Sequence, residues 1–392
     1  MSKTRAWYRP AHVVDYLLVF VPVAGLLEIV HAPPPLVFLV SALGIVPLAG
    51  LMGRATEALA EKAGPGIGGL LNATFGNAAE LIIAVIGLSR GLGEVVKASI
   101  TGSIIGNLLL VLGLSLFAGG VKHKTQRFNR AAASMGTTLL ALSAIGMLVP
   151  TLFWYAAQDP IAHRAHPGES TASLEGLEKG LSVEIAIVLG VVYILSLAFS
   201  LITHKHLYAG DGVMPHAGAG AGAGQSERGG TKGAGGTRVS FTRPVLMLLG
   251  TSALVAFLSE LLVGALEPTA KAFGLTDLFV GVIVVAIVGN AAEHASAIFA
   301  AMKDQVDLAL HIAIGSSLQI ALFVTPILLG LSYIVGPQPI DLHFTMFEVG
   351  AVTMAALAVN LVAQDGESNW MEGVMLLAVY AILGIAFFFL PA

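Results

Sequence analysis

Apolar residues in this chain come in long blocks rather than alternating with polar ones, and short polar or glycine-rich breaks separate the blocks. A block of about 20 apolar residues, wound as an α-helix, matches the hydrocarbon thickness of a bilayer. The blocks predict eleven helices, near residues 11–31, 34–62, 67–90, 95–119, 129–152, 181–203, 243–267, 273–302, 307–331, 338–363 and 370–391. Several exceed a straight span, which implies tilt or kinks. The expected class is an all-α polytopic membrane protein.

Composition agrees. The 392 residues are 56% hydrophobic and 11% charged, with mean hydropathy +0.85, whereas soluble domains carry about 25% charged residues. A net charge of −4 is too small to point to a nucleic acid or any other charged partner; the lipid bilayer is the one surrounding it implies. With no cysteine, disulfides, thiolate metal sites and cysteine nucleophiles are excluded. Met1–Pro10 carries Lys3, Arg5 and Arg9 and runs into the first apolar block without a small-residue cleavage site, so it reads as a retained first helix and not a signal peptide. Counting lysine and arginine with the N-terminus inside puts 15 on the cytoplasmic side and 5 outside. The positive-inside rule then places the N-terminus in the cytoplasm and the C-terminus outside.

Residues Ala209–Gly236 are mostly glycine and alanine, cannot bury a core, and read as a flexible linker. They divide the chain into an N-terminal helix (1–33), a first five-helix unit (34–203), a cytoplasmic linker (204–242) and a second five-helix unit (243–392). The units repeat. The pentapeptide Gly-Asn-Ala-Ala-Glu occurs at Gly76–Glu80 and again at Gly289–Glu293, 213 residues on, and the same offset lays Gly102-Ser103 on Gly315-Ser316. Five spans are an odd number, so the second unit must enter the membrane from the opposite side. Inverted repeats of this kind are common in secondary transporters, whose substrate sites lie near the midplane between them.

The repeated motif puts a carboxylate in mid-membrane, at a cost of at least roughly 2.5–3.5 kcal/mol, and such a residue usually marks an ion or proton path. Gly76, Asn77 and Glu80 share one helix face, as do Gly289, Asn290 and Glu293. Neighbouring helices add Ser103 and Asn107 in one half, Ser316, Ser317 and Gln319 in the other. This is a set of oxygen donors, which suits calcium. Two carboxylates neutralise a divalent ion; left empty in a poor dielectric they repel and take protons instead. Exchange then follows from one site occupied by either cation or protons. Asn77 and Asn290 either ligate or bridge helices, Ser103, Ser316 and Gln319 either ligate or bond backbone carbonyls, and His294 either carries a proton or packs. Glu57 and Glu61, near Arg54 and Lys62, form either a solvated helix end or a mouth that gathers cations. Glu260 and Glu348 are weaker candidates, and Asp15, Glu28 and Glu184 are expected to be wet.

These residues resemble the cation exchanger (CAX) family of calcium/proton antiporters, within the calcium/cation antiporter superfamily. The resemblance rests on NATFGNAAELI (Asn72–Ile82), GNAAEHASAI (Gly289–Ile298), SIIGN (Ser103–Asn107), GSSLQIALFVTP (Gly315–Pro326) and LMGRATEALA (Leu51–Ala60). It implies calcium export driven by inward proton flow, with the cation at Glu80, Glu293, Asn77, Asn290, Ser316 and Gln319; the residue pattern adds Gly76, Gly289 and Ser103 to the expected metal site, and no cofactor is expected besides the transported ions. It also implies a mobile gating pair formed by the first helix and the helix after the linker. Many members carry an acidic central linker, whereas Ala209–Gly236 holds only Asp211 and Glu227, which puts calcium sensing there in doubt. The short N-terminus favours a prokaryotic plasma membrane. Other divalent cations remain open as substrates. A sodium-coupled exchanger of the same superfamily is the alternative, and a channel a further one. An intramembrane metalloprotease is disfavoured, because no His-Glu-x-x-His is present.

Overall fold

The structure, a computed structural model, describes residues 13–63, 68, 71–72, 74–157, 171–204 and 241–391. Met1–Pro10 and all but the edges of the predicted linker lie outside the described residues. A 3-10 turn at Val13–Val19 leads into α1 (Phe20–Ile29), followed by α2 (Pro34–Ala63), α3 (Ala78–Ser89), α4 (Gly93–Lys122), α5 (Arg130–Ala157) and α6 (Thr171–Thr203). The second half contains α7 (Thr242–Phe273), α8 (Asp277–Ala301), α9 (Val306–Val335), α10 (Met346–Val362) and α11 (Trp370–Phe389). Eight of the described helices are long and apolar enough to cross a membrane. The first, third and tenth are shorter than the apolar blocks that predicted them. For α3 the cause is local: residues 74 and 75 are helical, but the chain turns at Gly76–Asn77 before the helix restarts at Ala78.

Two hydrophobic bodies emerge from the packing. One collects α1, α2, α3 and α7 around Ile45, Leu48, Val255 and Leu258. The other collects α4, α5, α6, α9, α10 and α11 around Leu108, Leu112, Leu140 and Phe344. The α8 helix serves both, with Val280 and Val285 in the first and Val282 in the second. The helix after the linker, α7, packs most extensively on α2 and only lightly on α1. α1 is short, and α2 is the long helix lying alongside α7.

Three π-helical turns punctuate the helices nearest the motifs: Gly106–Val111 in α4, Val280–Val285 in α8 and Ile320–Val324 in α9. Such turns release backbone from the regular ladder and concentrate at functional sites. A two-residue antiparallel ribbon, Gln126–Arg127 with Glu367–Ser368, ties the connection after α4 to the one before α11.

Candidate ion-binding site

The two copies of the motif meet at the seam between the bodies. Glu80, in the first turn of α3, and Glu293, in the middle of α8, line one cleft together with Ala49, Gly50, Met52, Gly53, Gly76, Ala79, Gly289 and Ala292. The free space in the cleft is about 30 Å³, room for a largely dehydrated cation or about two waters at roughly 10–15 Å³ each. One oxygen of each carboxylate, Glu80 Oε1 and Glu293 Oε2, is buried without a hydrogen-bond partner among the described residues. His294 Nε2 is in the same condition.

Glycine at both motif positions is a matter of space. A Cβ on Gly289 would stand 3.1 Å from Glu80 Cγ, and one on Gly76 would stand 2.6 Å from the Asn72 carbonyl oxygen. Bare backbone here lets the second motif close on the carboxylate of the first.

Around the carboxylates the asparagines form crossed contacts. Asn77 Nδ2 donates to Gln319 Oε1 of α9, and the Ser316 hydroxyl donates to Asn77 Oδ1 at 3.3 Å. In the mirrored position, Asn290 Nδ2 donates to Ser103 Oγ of α4 at 2.8 Å and to the Ala286 carbonyl at 2.9 Å. Asn107 Nδ2 completes this half by donating to Asn290 Oδ1 at 3.2 Å. All six of these side chains are buried. Each asparagine thus reaches into the opposite half of the chain, and one oxygen of each carboxylate is left over.

Nine of the expected residues are brought to this region: Gly76, Asn77, Glu80, Ser103, Gly289, Asn290, Glu293, Ser316 and Gln319. Ser317 turns away and donates to the Ala313 carbonyl at 2.8 Å. Missed in the sequence were the cleft residues of α2, Ala49 to Gly53. Their signal is the Gly50/Gly53 pair, small residues one turn apart that leave a helix face open. Glu348 is no free acid. It accepts from Thr101 at 2.9 Å and closes a capping box with Thr345 at the start of α10. Glu260 is exposed and pairs with Arg90. Glu28 and Glu184 are exposed as expected. Asp15 is not simply wet: it pairs with Arg54 at 3.0 Å.

A second acidic group stands apart from the cleft, where α4, α6 and the segment before α10 meet. Atoms of Glu178, Asp341 and His343 capable of holding a metal lie within 4.8 Å of one another. Here the protein brings its own cation: Lys97 Nζ donates to Asp341 Oδ1 at 3.0 Å and the His343 carbonyl at 2.8 Å, and pairs with Glu94 at 2.9 Å. Burial, and then the Lys97 ammonium, hold the His343 imidazole below its usual range.

Apolar helices packed in two bodies around a shared acidic cleft define an integral membrane protein with a polar site sealed inside it. The chain belongs to the sodium/calcium exchanger protein family, whose profile matches residues 34–202 and 243–389. It is 46% identical over 384 residues to a Ca2+/H+ antiporter of Synechocystis sp., covering 96% of both chains. It is 42% identical over 371 residues to the Ca2+/H+ antiporter ChaA of Bacillus subtilis, covering 94% of this chain and 97% of that one. Among solved structures, native YfkE is similar with TM-score 0.76 and 38% identity, over 96% of this chain and 100% of that one.

Proposed function

We propose that the protein is a secondary antiporter that moves Ca2+ out of the cytosol in exchange for protons, by alternating access at Glu80 and Glu293. The observation that carries this reading is the pair of buried carboxylate oxygens left without partners in one cleft. Leaving one oxygen of each acid without a partner inside a membrane protein is costly, and a transported ion offsets that cost when bound. Ca2+ takes both carboxylates; protons replace it when it leaves, because the doubly charged empty cleft is too unfavourable to reorient. Asn77, Asn290, Ser103, Ser316 and Gln319 hold the carboxylate-bearing helices in register and supply further oxygens; Gly76 and Gly289 give the backbone access. His294, whose Nε2 is buried beside the site, is the third proton-binding group. The relatives named Ca2+/H+ antiporter span nearly the whole chain, which favours protons over sodium as the coupling ion.

The architecture that goes with this mechanism is eleven spans: an N-terminal helix (1–33) and two inverted five-helix repeats (34–203 and 243–392) joined through 204–242. In its support, Asn77 with Ser316 and Asn290 with Ser103 are one contact made twice under the 213-residue offset. The N-terminus lies in the cytoplasm, the C-terminus outside, and the membrane is a prokaryotic plasma membrane. Ca2+ uptake into inverted membrane vesicles under an imposed pH gradient is the test. Uptake that collapses with the gradient supports the reading; uptake that requires sodium and is lost when choline replaces it overturns proton coupling. Competition by Mn2+, Cd2+ and Sr2+ in the same assay reads the selectivity.

A further inference from the structure

The lining of the cleft puts Arg54 in an unexpected place. Arg54 follows Gly53 directly and lies one helical turn beyond Gly50, both of which face Glu80 and Glu293 across the cleft. Its Nη1 stands 3.8 Å from the point where a Cβ on Gly50 would be, and that point is 3.9 Å from Ala292 Cβ, the residue before Glu293. A guanidinium at this rim opposes an arriving divalent cation. It is also itself a two-pronged partner for carboxylates, and so a competitor for the same acids.

One carboxylate holds it. Asp15, in the 3-10 turn before α1, accepts a hydrogen bond from Arg54 Nη2 at 3.0 Å. The Asp15 side chain is 19% exposed and that of Arg54 35%, so water screens the pair less than it screens a fully surface ion pair. The remaining acid nearby on α2 is Glu57, one turn further on, with Glu61 beyond it; both are on Arg54's own helix.

We propose that Asp15 neutralises Arg54 at the mouth of the cleft and draws its guanidinium away from Glu80 and Glu293, so that the segment before α1 sets the affinity for the transported cation. This rests on the exchange function proposed above. In that reading Asp15 and Arg54 are positioning residues that touch neither ion. Asp15 acts on the site only through the charge it cancels.

A charge-cancelling role and a mere tether give different double-mutant patterns. The measurement is pH-gradient-driven Ca2+ uptake by the full chain, with KM and maximal rate determined for wild type, D15N, R54Q and D15N/R54Q. D15N should raise KM roughly 3–10-fold at little cost in maximal rate, the scale of one uncompensated charge near a partly wet site. R54Q and the double variant should return KM to within about twofold of wild type, because nothing is left to compete. An unchanged KM in D15N, as when Glu57 takes over the guanidinium, overturns the proposal. So does an equal rise in D15N, R54Q and the double variant, the pattern of a tether. The Ca2+-induced shift in Tm of each purified variant separates lost binding from lost folding. A wild type without pH-driven uptake instead overturns the exchange function itself, and this proposal with it.

Discussion

Two acidic regions of this molecule handle the same electrostatic problem in opposite ways. Beside α6 and α10, Asp341 and Glu94 are served by Lys97, a lysine only 6% exposed that the fold supplies permanently. In the cleft, Glu80 and Glu293 face each other with no lysine or arginine hydrogen-bonded to either among the described residues. An internal cation makes the first region a structural clasp: the same neighbourhood bolts down the segment before α10, with Ser182 Oγ accepting from Leu342 N at 2.9 Å and Thr151 Oγ1 accepting from Phe344 N at 3.1 Å. Withholding that cation leaves the second region with the unpartnered oxygens on which the proposed exchange rests. The lesson is that acidic residues gathered in one place do not by themselves identify an ion site; what matters is whether the protein has already neutralised them.

The contrast is broken most severely at the cleft. E80Q or E293Q keeps shape and hydrogen-bonding capacity but removes charge, and pH-driven Ca2+ uptake should fall by roughly 1,000-fold or more, about 4 kcal/mol at 1.36 kcal/mol per decade. Protein yield and helicity should hold, since the amide keeps the shape and one acceptor oxygen of the acid it replaces. Normal uptake in either variant would remove the basis for the proposed mechanism. At the clasp the pattern should invert. K97M removes the charged donor from Asp341, whose side chain is 23% exposed, and from the His343 carbonyl, and chemical denaturation in detergent should show a loss of about 1.5 kcal/mol, while KM for Ca2+ stays within about twofold.

Smaller changes sharpen the comparison. G289A puts a methyl 3.1 Å from Glu80 Cγ, and displacing that carboxylate should weaken Ca2+ binding about tenfold, or ~1.4 kcal/mol, measured by titration calorimetry. Unaltered affinity would mean that the spacing of the two motifs is loose. The least effect belongs to the exposed pair of Arg90 and Glu260, whose side chains are 50% and 47% exposed. E260Q should cost under about 1 kcal/mol of stability and leave transport intact; a transport defect would give this pair a role that its exposure argues against.

Much was legible before any coordinates. Block length gave the helices, and the duplicated pentapeptide with Ser103 and Ser316 picked out residues that the fold brings together, because a polar residue in a membrane segment stands out against an apolar background and a repeat at one offset marks its partner. Boundaries were less legible. The first motif breaks its helix at Gly76–Asn77 whereas the second runs through Gly289–Asn290 unbroken. The same five letters adopt two conformations because their neighbours differ, which a local pattern cannot reveal. Asp15, expected to be wet, was misjudged. An acid's state depends on partners far along the chain, Arg54 for Asp15 and Thr101 for Glu348.

The sequence alone thus determined the class of protein and the identity of its buried acids, since hydrophobic block length and the cost of charge in lipid are properties of each segment by itself. Only the tertiary structure decided which acids would be neutralised. Glu80 and Glu293 are separated by more than half the chain, as are Lys97 and Asp341. Pairing at such range is set by how helices pack, and packing depends on which backbones approach closely enough to bring distant side chains within a few ångströms.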